Sequence, residues 1–241
     1  DTTVGFTENW INNTVINVAP NKLQSKGHKH PVTAMTGWTW KGKNDNIRLA
    51  PNEYGGMGLE FLEHDYMNEV LAWEPLGNRI FGGIATNSGN KKILVKYGTE
   101  DQKKKWLEPL IEQKMESCFS MTEPDQPGSD PSSLQTTAVK EGNEWVINGH
   151  KIMTSNGERA DFAIVMCRTE EEEEGGNSSL KMTQIIVPTD TPGFNKIRSV
   201  PIWGHTGGDH LEIKYENVRV PLENALGSRG SGHKAAQDRL G

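Results

Sequence analysis

Residues 118–130 read CFSMTEPDQPGSD, a short apolar run that gives way at Thr122 to a loop holding Pro124, Pro127 and Gly128. A strand that ends in such a loop leaves main-chain N–H groups and hydroxyls that ladder pairing cannot use, and donors of that kind suit an anionic or heteroaromatic ligand. The plainer alternative is a polar turn capped by Asp125 and Asp130. Residues 150–157, HKIMTSNG, repeat the theme, because an amphipathic strand finishes there in Thr154, Ser155 and Asn156. Two hydroxyl-rich strand ends in one small domain point to a shared ligand.

Working outward from these ends, the hydrophobic period changes sharply near Lys114. Downstream, segments 116–122, 134–140, 144–153, 161–168, 181–187 and 210–218 alternate and are rich in β-branched and aromatic residues. Turn signals separate them, which predicts an antiparallel β domain. The five glutamates 170–174 are expected in a solvated hairpin loop, because like charges gain nothing from burial. Upstream the period is helical. Leu59, Leu62, Tyr66, Val70 and Trp73 share one face of a first helix, and a second covers residues 79–98 with Gly98 as its stop. A third starts at Thr99 as N-cap and presents Trp106, Leu107, Leu110 and Ile111. Residues 1–50 show no sustained period. The end, GSRGSGHKAAQDRLG, reads as a glycine loop leading into a helix of barely two turns, as if a further helical region began there. The expected class is therefore α+β: an irregular and helical part over 1–115, a β-barrel or sandwich over 116–228, and the start of a C-terminal helical domain over 229–241.

Composition limits the function. The chain has 241 residues, and its 34% apolar content rises to about 45% when the 26 glycines are counted, as in globular proteins. A net charge of −6 argues against a duplex nucleic-acid binder, which needs a basic face for phosphates. No apolar run is long enough to span a membrane, and the first residues lack a basic-then-apolar signal. Cys118 and Cys167 sit in strand-like runs and are expected as buried free thiols. His28 and His30 read as solvent-exposed, not as metal ligands. WGHTGGDH, with His205, Asp209 and His210, reads as a turn. Gly227–Gly232 has neither the dinucleotide nor the P-loop spacing.

Three ordered stretches, SCFSMTEPDQPGSD, WVINGHKIMTSNGERADFAIV and ENVRVPLENALGSRGSGHKAAQDRLG, together resemble the acyl-CoA dehydrogenase family. APNEYGGMGLEFLEHDYMNEVLA and YGTEDQKKKWLEPL resemble its helical N-terminal domain, so the likeness covers roughly residues 50–241. The longer loop before Gly128 is similar to the branch containing family members 10 and 11.

The resemblance implies FAD as cofactor. It gives Phe119, Met121 and Thr122 the contacts to the isoalloxazine ring, and sets Gly128 and Ser129 by the pyrophosphate, with Ser129 also by the acyl-CoA. The second strand end, Met153, Thr154 and Ser155, lies where the family carries Trp-x-Thr: the indole covers the flavin and the hydroxyl bonds N5. Here Ser155 keeps the hydroxyl, while Met153 keeps a polarizable surface and loses the flat stacking face. The implied reaction takes a fatty acyl-CoA to its trans-2-enoyl form, with hydride to N5 and electrons onward to an electron-transfer flavoprotein. No catalytic base is expected within the chain, because the family's base belongs to a domain expected beyond Gly241. A flavin oxidase of the same fold and a flavin-less binding unit stay open as alternatives. The likeness also implies a homodimer or homotetramer, located in mitochondrion or peroxisome if eukaryotic and in the cytoplasm if bacterial, and not secreted.

Overall fold

The computed structural model describes residues 69, 72–73, 85–172, 178–203 and 210–240. Apart from residues 69, 72 and 73, the helix predicted from Leu59 lies outside the described residues, as do His28, His30, His205 and Asp209. The chain divides into two compact units, residues 1–91 with 111–114, and residues 92–110 with 115–241.

Helix α1 (Ala85–Tyr97) ends where Gly98 sits, as predicted. The Gly98 N–H still donates to the Leu94 carbonyl at 2.9 Å, and a Cβ there would collide with that same carbonyl. Thr99 is the predicted N-cap of α2 (Glu100–Gln102), and it forms a full capping box: the Gln102 amide donates to the Thr99 hydroxyl, and the Gln102 side chain accepts from the Thr99 amide. The run passes through a π turn (Lys103–Leu107) into α3 (Glu108–Ile111). Trp106, Leu107 and Leu110 are buried, and Trp106 packs against Phe162 with ring centroids 5.0 Å apart. Gln102 Nε2 donates to the carbonyls of Glu223 and Ala225, which fixes the capped end against the sheet.

The strands are β1 (Ser117–Ser120), β2 (Thr137–Glu141), β3 (Glu144–Ser155), β4 (Phe162–Glu172), β5 (Ser178–Pro188), β6 (Phe194–Ser199), β7 (His210–Pro221) and β8 (Ala225–Leu226). They form one sheet in the order β6-β7-β3-β2-β4-β5-β8, with β1 paired to β4. A core of alternating side chains fills one face, including Trp145, Ile147, Val165, Val187, Ile213 and Tyr215. Cys118 and Cys167 are free and buried in that core, as expected, and burial pushes both thiols up to about 12.

Three features depart from the sequence reading. The sheet is mixed: β1 runs parallel to β4, Ser117 opposite Phe162, and β2 touches β4 in parallel at Thr137 and Arg168. The β2–β3 hairpin lies between β1 and β4 in sequence and gives the chain length that a parallel neighbour requires. Glu170–Glu172 belong to β4, not to a loop, and pair with Leu180, Ser179 and Ser178. β6 was not predicted, because only Phe194 of its six residues is buried and alternation is lost, whereas β7 opens at His210, where the strand over 210–218 is predicted.

Helix α4 (Gly232–Leu240) packs on the outer side of β5. A Cβ on Gly232 would stand 2.7 Å from the Met182 carbonyl oxygen, so the close approach needs glycine. Gln184 Nε2 donates to the Gly232 carbonyl, and at the other end Asp238 accepts from Lys96 and Tyr97 of α1.

Gly149 meets a similar limit, because a Cβ there would overlap the buried Thr136 side chain, whose hydroxyl is fixed on Glu123. Gly149→Ala is therefore expected to destabilise the protein by about 1–3 kcal/mol, read from the midpoint of urea denaturation. An unchanged midpoint would show that Thr136 yields freely.

Candidate functional site

The ends of β1 and β3 stand side by side. Past Lys151 the register of β3 against β7 slips, and the Ile152 amide turns to donate to the Thr122 carbonyl at 2.8 Å. The side chains then divide between two faces. Ser120 points inward, where its hydroxyl lies 3.1 Å from that of Thr154 and accepts a hydrogen bond from Tyr215 at 3.0 Å. All three residues are buried. Asn156 continues the seam by donating to the Ser117 carbonyl.

Beneath the loop lies a buried carboxylate. Glu123 accepts from the Gln135 amide at 2.6 Å, from the Thr136 amide at 2.8 Å, from the Thr136 hydroxyl at 2.6 Å and from Lys151 Nζ at 2.9 Å. Burial opposes ionisation of Glu123, but the Thr136 hydroxyl, the Lys151 ammonium and the two amides outweigh it, and the carboxyl is held below its ordinary 4.5. The Lys151 side chain is wholly inaccessible to solvent, and its ammonium also donates to the Met121 carbonyl at 2.7 Å. Burial lowers its pKa, and the Glu123 carboxylate opposes that shift. The loop 124–134 is thus closed at its base by one side chain, and the strand end before it is tied to β3.

The outer face carries two of the residues expected to bind a ligand. Phe119 and Met121 line it with Leu134, Met166, Met182 and Ala236 of α4. The Arg239 guanidinium lies 4.5 Å from the centre of the Phe119 ring, and burial lowers its pKa to about 10. Met153 is 42% exposed and stands at φ +60°, in the left-handed region that non-glycine residues avoid. Ser155 follows two residues on, half-buried, with its hydroxyl 2.7 Å from His210 Nδ1. At the rim, a Cβ on Gly128 would lie 3.5 Å from the Thr122 methyl, so the loop folds back over Thr122. Ser129 beside it is exposed.

Thr154 differs from the other residues read from the sequence: its side chain is buried on the inner face and committed to Ser120, so it braces the site from behind. Asp130 takes the plainer role, accepting from the Ser132 amide at 3.0 Å as the cap of a 3-10 turn. Sequence reasoning missed Lys151 and the clamp made by Glu123. The sequence offers only a lysine in HKIMTS and a glutamate at the other strand end, 28 residues apart and each readable as exposed. Among the described residues no cluster of His, Cys, Asp and Glu could hold a metal ion, and no helix is long and apolar enough to cross a membrane.

Comparison with known proteins adds a family. The description "Acyl-CoA dehydrogenase, N-terminal domain" matches residues 47–114, and "Acyl-CoA dehydrogenase, middle domain" matches residues 118–218. Acyl-CoA dehydrogenase family member 10 of Mus musculus is 37% identical over 199 residues, which are 81% of this chain and 18% of the mouse protein. Acyl-CoA dehydrogenase family member 11 of Gallus gallus is 39% identical over 183 residues, 73% of this chain and 24% of that protein. The chain therefore spans less than half the length of the curated relatives it matches. The crystal structure of an acyl-CoA dehydrogenase from Geobacillus kaustophilus is similar with a TM-score of 0.66 and 28% identity, covering 91% of this chain and 56% of the other.

The Glu123 clamp has a pH signature. Since its folded pKa is depressed, its stabilisation is complete above the ordinary 4.5 and is lost as the pH falls below that through the folded value. Stability measured by denaturant between pH 6 and 3 is expected to fall less steeply in Glu123→Gln than in the parent. Lys151→Met, which leaves the carboxylate buried without its cation, is expected to cost about 3–5 kcal/mol at neutral pH. Parallel pH curves for parent and Glu123→Gln would refute the assignment.

Proposed function

The chain belongs to the acyl-CoA dehydrogenase family, and on that premise we propose that its β domain holds one face of FAD in the α,β-dehydrogenation of a fatty acyl-CoA, with electrons leaving to an electron-transfer flavoprotein. The observation that supports the reading is the adjacency of the two strand ends: Phe119 and Met121 share an apolar face, the Ile152 amide ties β3 to the Thr122 carbonyl, and Gly128 folds against Thr122.

A flat heteroaromatic ring needs a polarizable apolar surface and polar groups at its edge. Met121 and the exposed Met153 offer the first. The hydroxyls of Thr122 and Ser155 offer the second, and the Thr122 hydroxyl has no hydrogen-bond partner among the described residues. The backbone at Met153 supports the fit, because a left-handed conformation costs a non-glycine residue about 1–2 kcal/mol and such strain concentrates at ligand sites. Gly128, with no side chain, leaves its amide open to a phosphate oxygen, and the Ser129 hydroxyl beside it can bond the same group or the acyl-CoA.

FAD, when bound, supplies the acceptor for the hydride leaving the β-carbon. The chain's own groups orient that ring: Ser155 donates to N5, Thr122 bonds the polar edge, and the clamp under Met121 keeps both strand ends in register. None of the described carboxylates near the face takes the α-proton in this reading. Glu123 already accepts four hydrogen bonds and Asp130 caps its own turn. The base then comes from outside the described residues.

One contact favours a second reading, a fold retained without flavin: Arg239 covers the Phe119 ring that the first reading gives to the isoalloxazine. FAD titration separates the two. Under the first, added FAD co-elutes with the protein and its fluorescence is quenched. Met153→Trp, which restores a stacking surface, is expected to tighten FAD about three- to tenfold. No FAD uptake by the parent, by Met153→Trp or by Arg239→Gln would leave the flavin-less reading standing.

A further inference from the structure

We propose that His210 is a positioning residue for Ser155: its Nδ1–H donates to the hydroxyl oxygen and so turns the hydroxyl proton toward the outer face. The inference rests on the flavin reading above and deepens it by naming what makes Ser155 a donor.

Ser155 and His210 are directly opposite each other in the β3–β7 ladder, and Oγ and Nδ1 are 2.7 Å apart. The backbone around His210 is held from the other side as well, since its carbonyl accepts from the Val200 amide at 2.7 Å. Among the described residues no other side chain bonds the Ser155 hydroxyl. A serine hydroxyl has one hydrogen, and a neutral imidazole has one protonated and one bare nitrogen. If Nδ1 is bare, the single hydrogen of Ser155 points at it, and Ser155 can offer the outer face only lone pairs. If Nδ1 carries the hydrogen, the ring fills one lone pair of Oγ and leaves the hydroxyl hydrogen for an acceptor on the outer face. N5 of an oxidised flavin is such an acceptor, so donation by Ser155 requires the second arrangement. Met153 and Ser155 then act as a pair, one supplying surface and the other a directed hydrogen.

The test is a double-mutant cycle read by FAD dissociation constants from fluorescence quenching. His210→Phe keeps a ring and removes the nitrogen, and Ser155→Ala removes the hydroxyl. Each is expected to weaken FAD about fivefold, as for the loss of one ordinary hydrogen bond, and the double variant no more than either alone. His210→Asn, whose amide nitrogen can take the place of Nδ1, is expected to stay within about twofold of the parent. Additive losses in the double variant, or equal losses in His210→Asn and His210→Phe, would overturn the inference while leaving FAD binding intact. A second arm needs no FAD: the imidazole nitrogen–proton correlation spectrum of the unliganded protein is expected to show His210 protonated at Nδ1. A bare Nδ1 would overturn the inference even if FAD binds. A protonated Nδ1 in a protein that takes up no FAD would uphold the Ser155 arrangement and remove the flavin reading alone.

Discussion

A carboxylate removed from water must be repaid in hydrogen bonds, and Glu123 is satisfied by groups from only two other places, the 135–136 segment and Lys151. That requirement fixes the geometry of the whole strand end. The two amides and the hydroxyl close the proline-containing loop at its base. The lysine, wholly buried, holds the same carboxylate and the Met121 carbonyl at once. A buried ion pair of this kind is weak evidence for net stability, since its desolvation is costly. Its effect here is specificity of register, because a shift of β1 by one residue would strand both charges.

Strand alternation then separates two functions within the same short segments. Ser120, Thr154 and Tyr215 form a buried hydroxyl cluster on one side, Phe119 and Met121 face the other, and Ser155 alternates with Thr154. The slip in the β3–β7 ladder makes this division possible, since it places both Lys151 and Thr154 inward with two residues between them. Without the slip, strict alternation would put one of them on the outer face.

Much of this was legible in the chain, and the remainder was hidden for physical reasons. The helix cap at Thr99 and the principal strands follow from local pattern, because capping boxes and alternation are encoded within a few residues. Residues 118–122 and 150–155 were identified as paired ends from their hydroxyls and loop chemistry. Burial of Lys151 was not legible, since a lysine in an amphipathic strand reads as exposed until Glu123, distant in sequence, arrives to neutralise it. The inward burial of Thr154 against Ser120 is not legible, because the bulge after Lys151 that sets its direction leaves no mark in the period. His210 stands beside a glycine-rich stretch that reads as a turn, and only the pairing of β7 with β3 brings it to Ser155. The edge strand β6 buries one residue of six and leaves almost no periodic signal.

The parallel pairing of β1 with β4 has a bearing on the order of assembly. The β2–β3 hairpin closes over a tight turn and can form early from neighbouring residues, whereas the bond between Glu116 and Asp161 spans 45 residues and that between Tyr215 and Ser120 spans 95. Contacts of long separation carry the larger loop-closure entropy and tend to complete late. The β1–β4 pairs close 45 residues, fewer than the 55–77 closed by the β3–β7 pairs, so the contact expected to complete late is the one from Tyr215 to Ser120, which needs both β1 and β7 in place. The hydroxyl cluster behind the strand ends therefore depends on segments far apart in the chain, whereas the Glu123 clamp in front of it closes over only 12 to 28 residues.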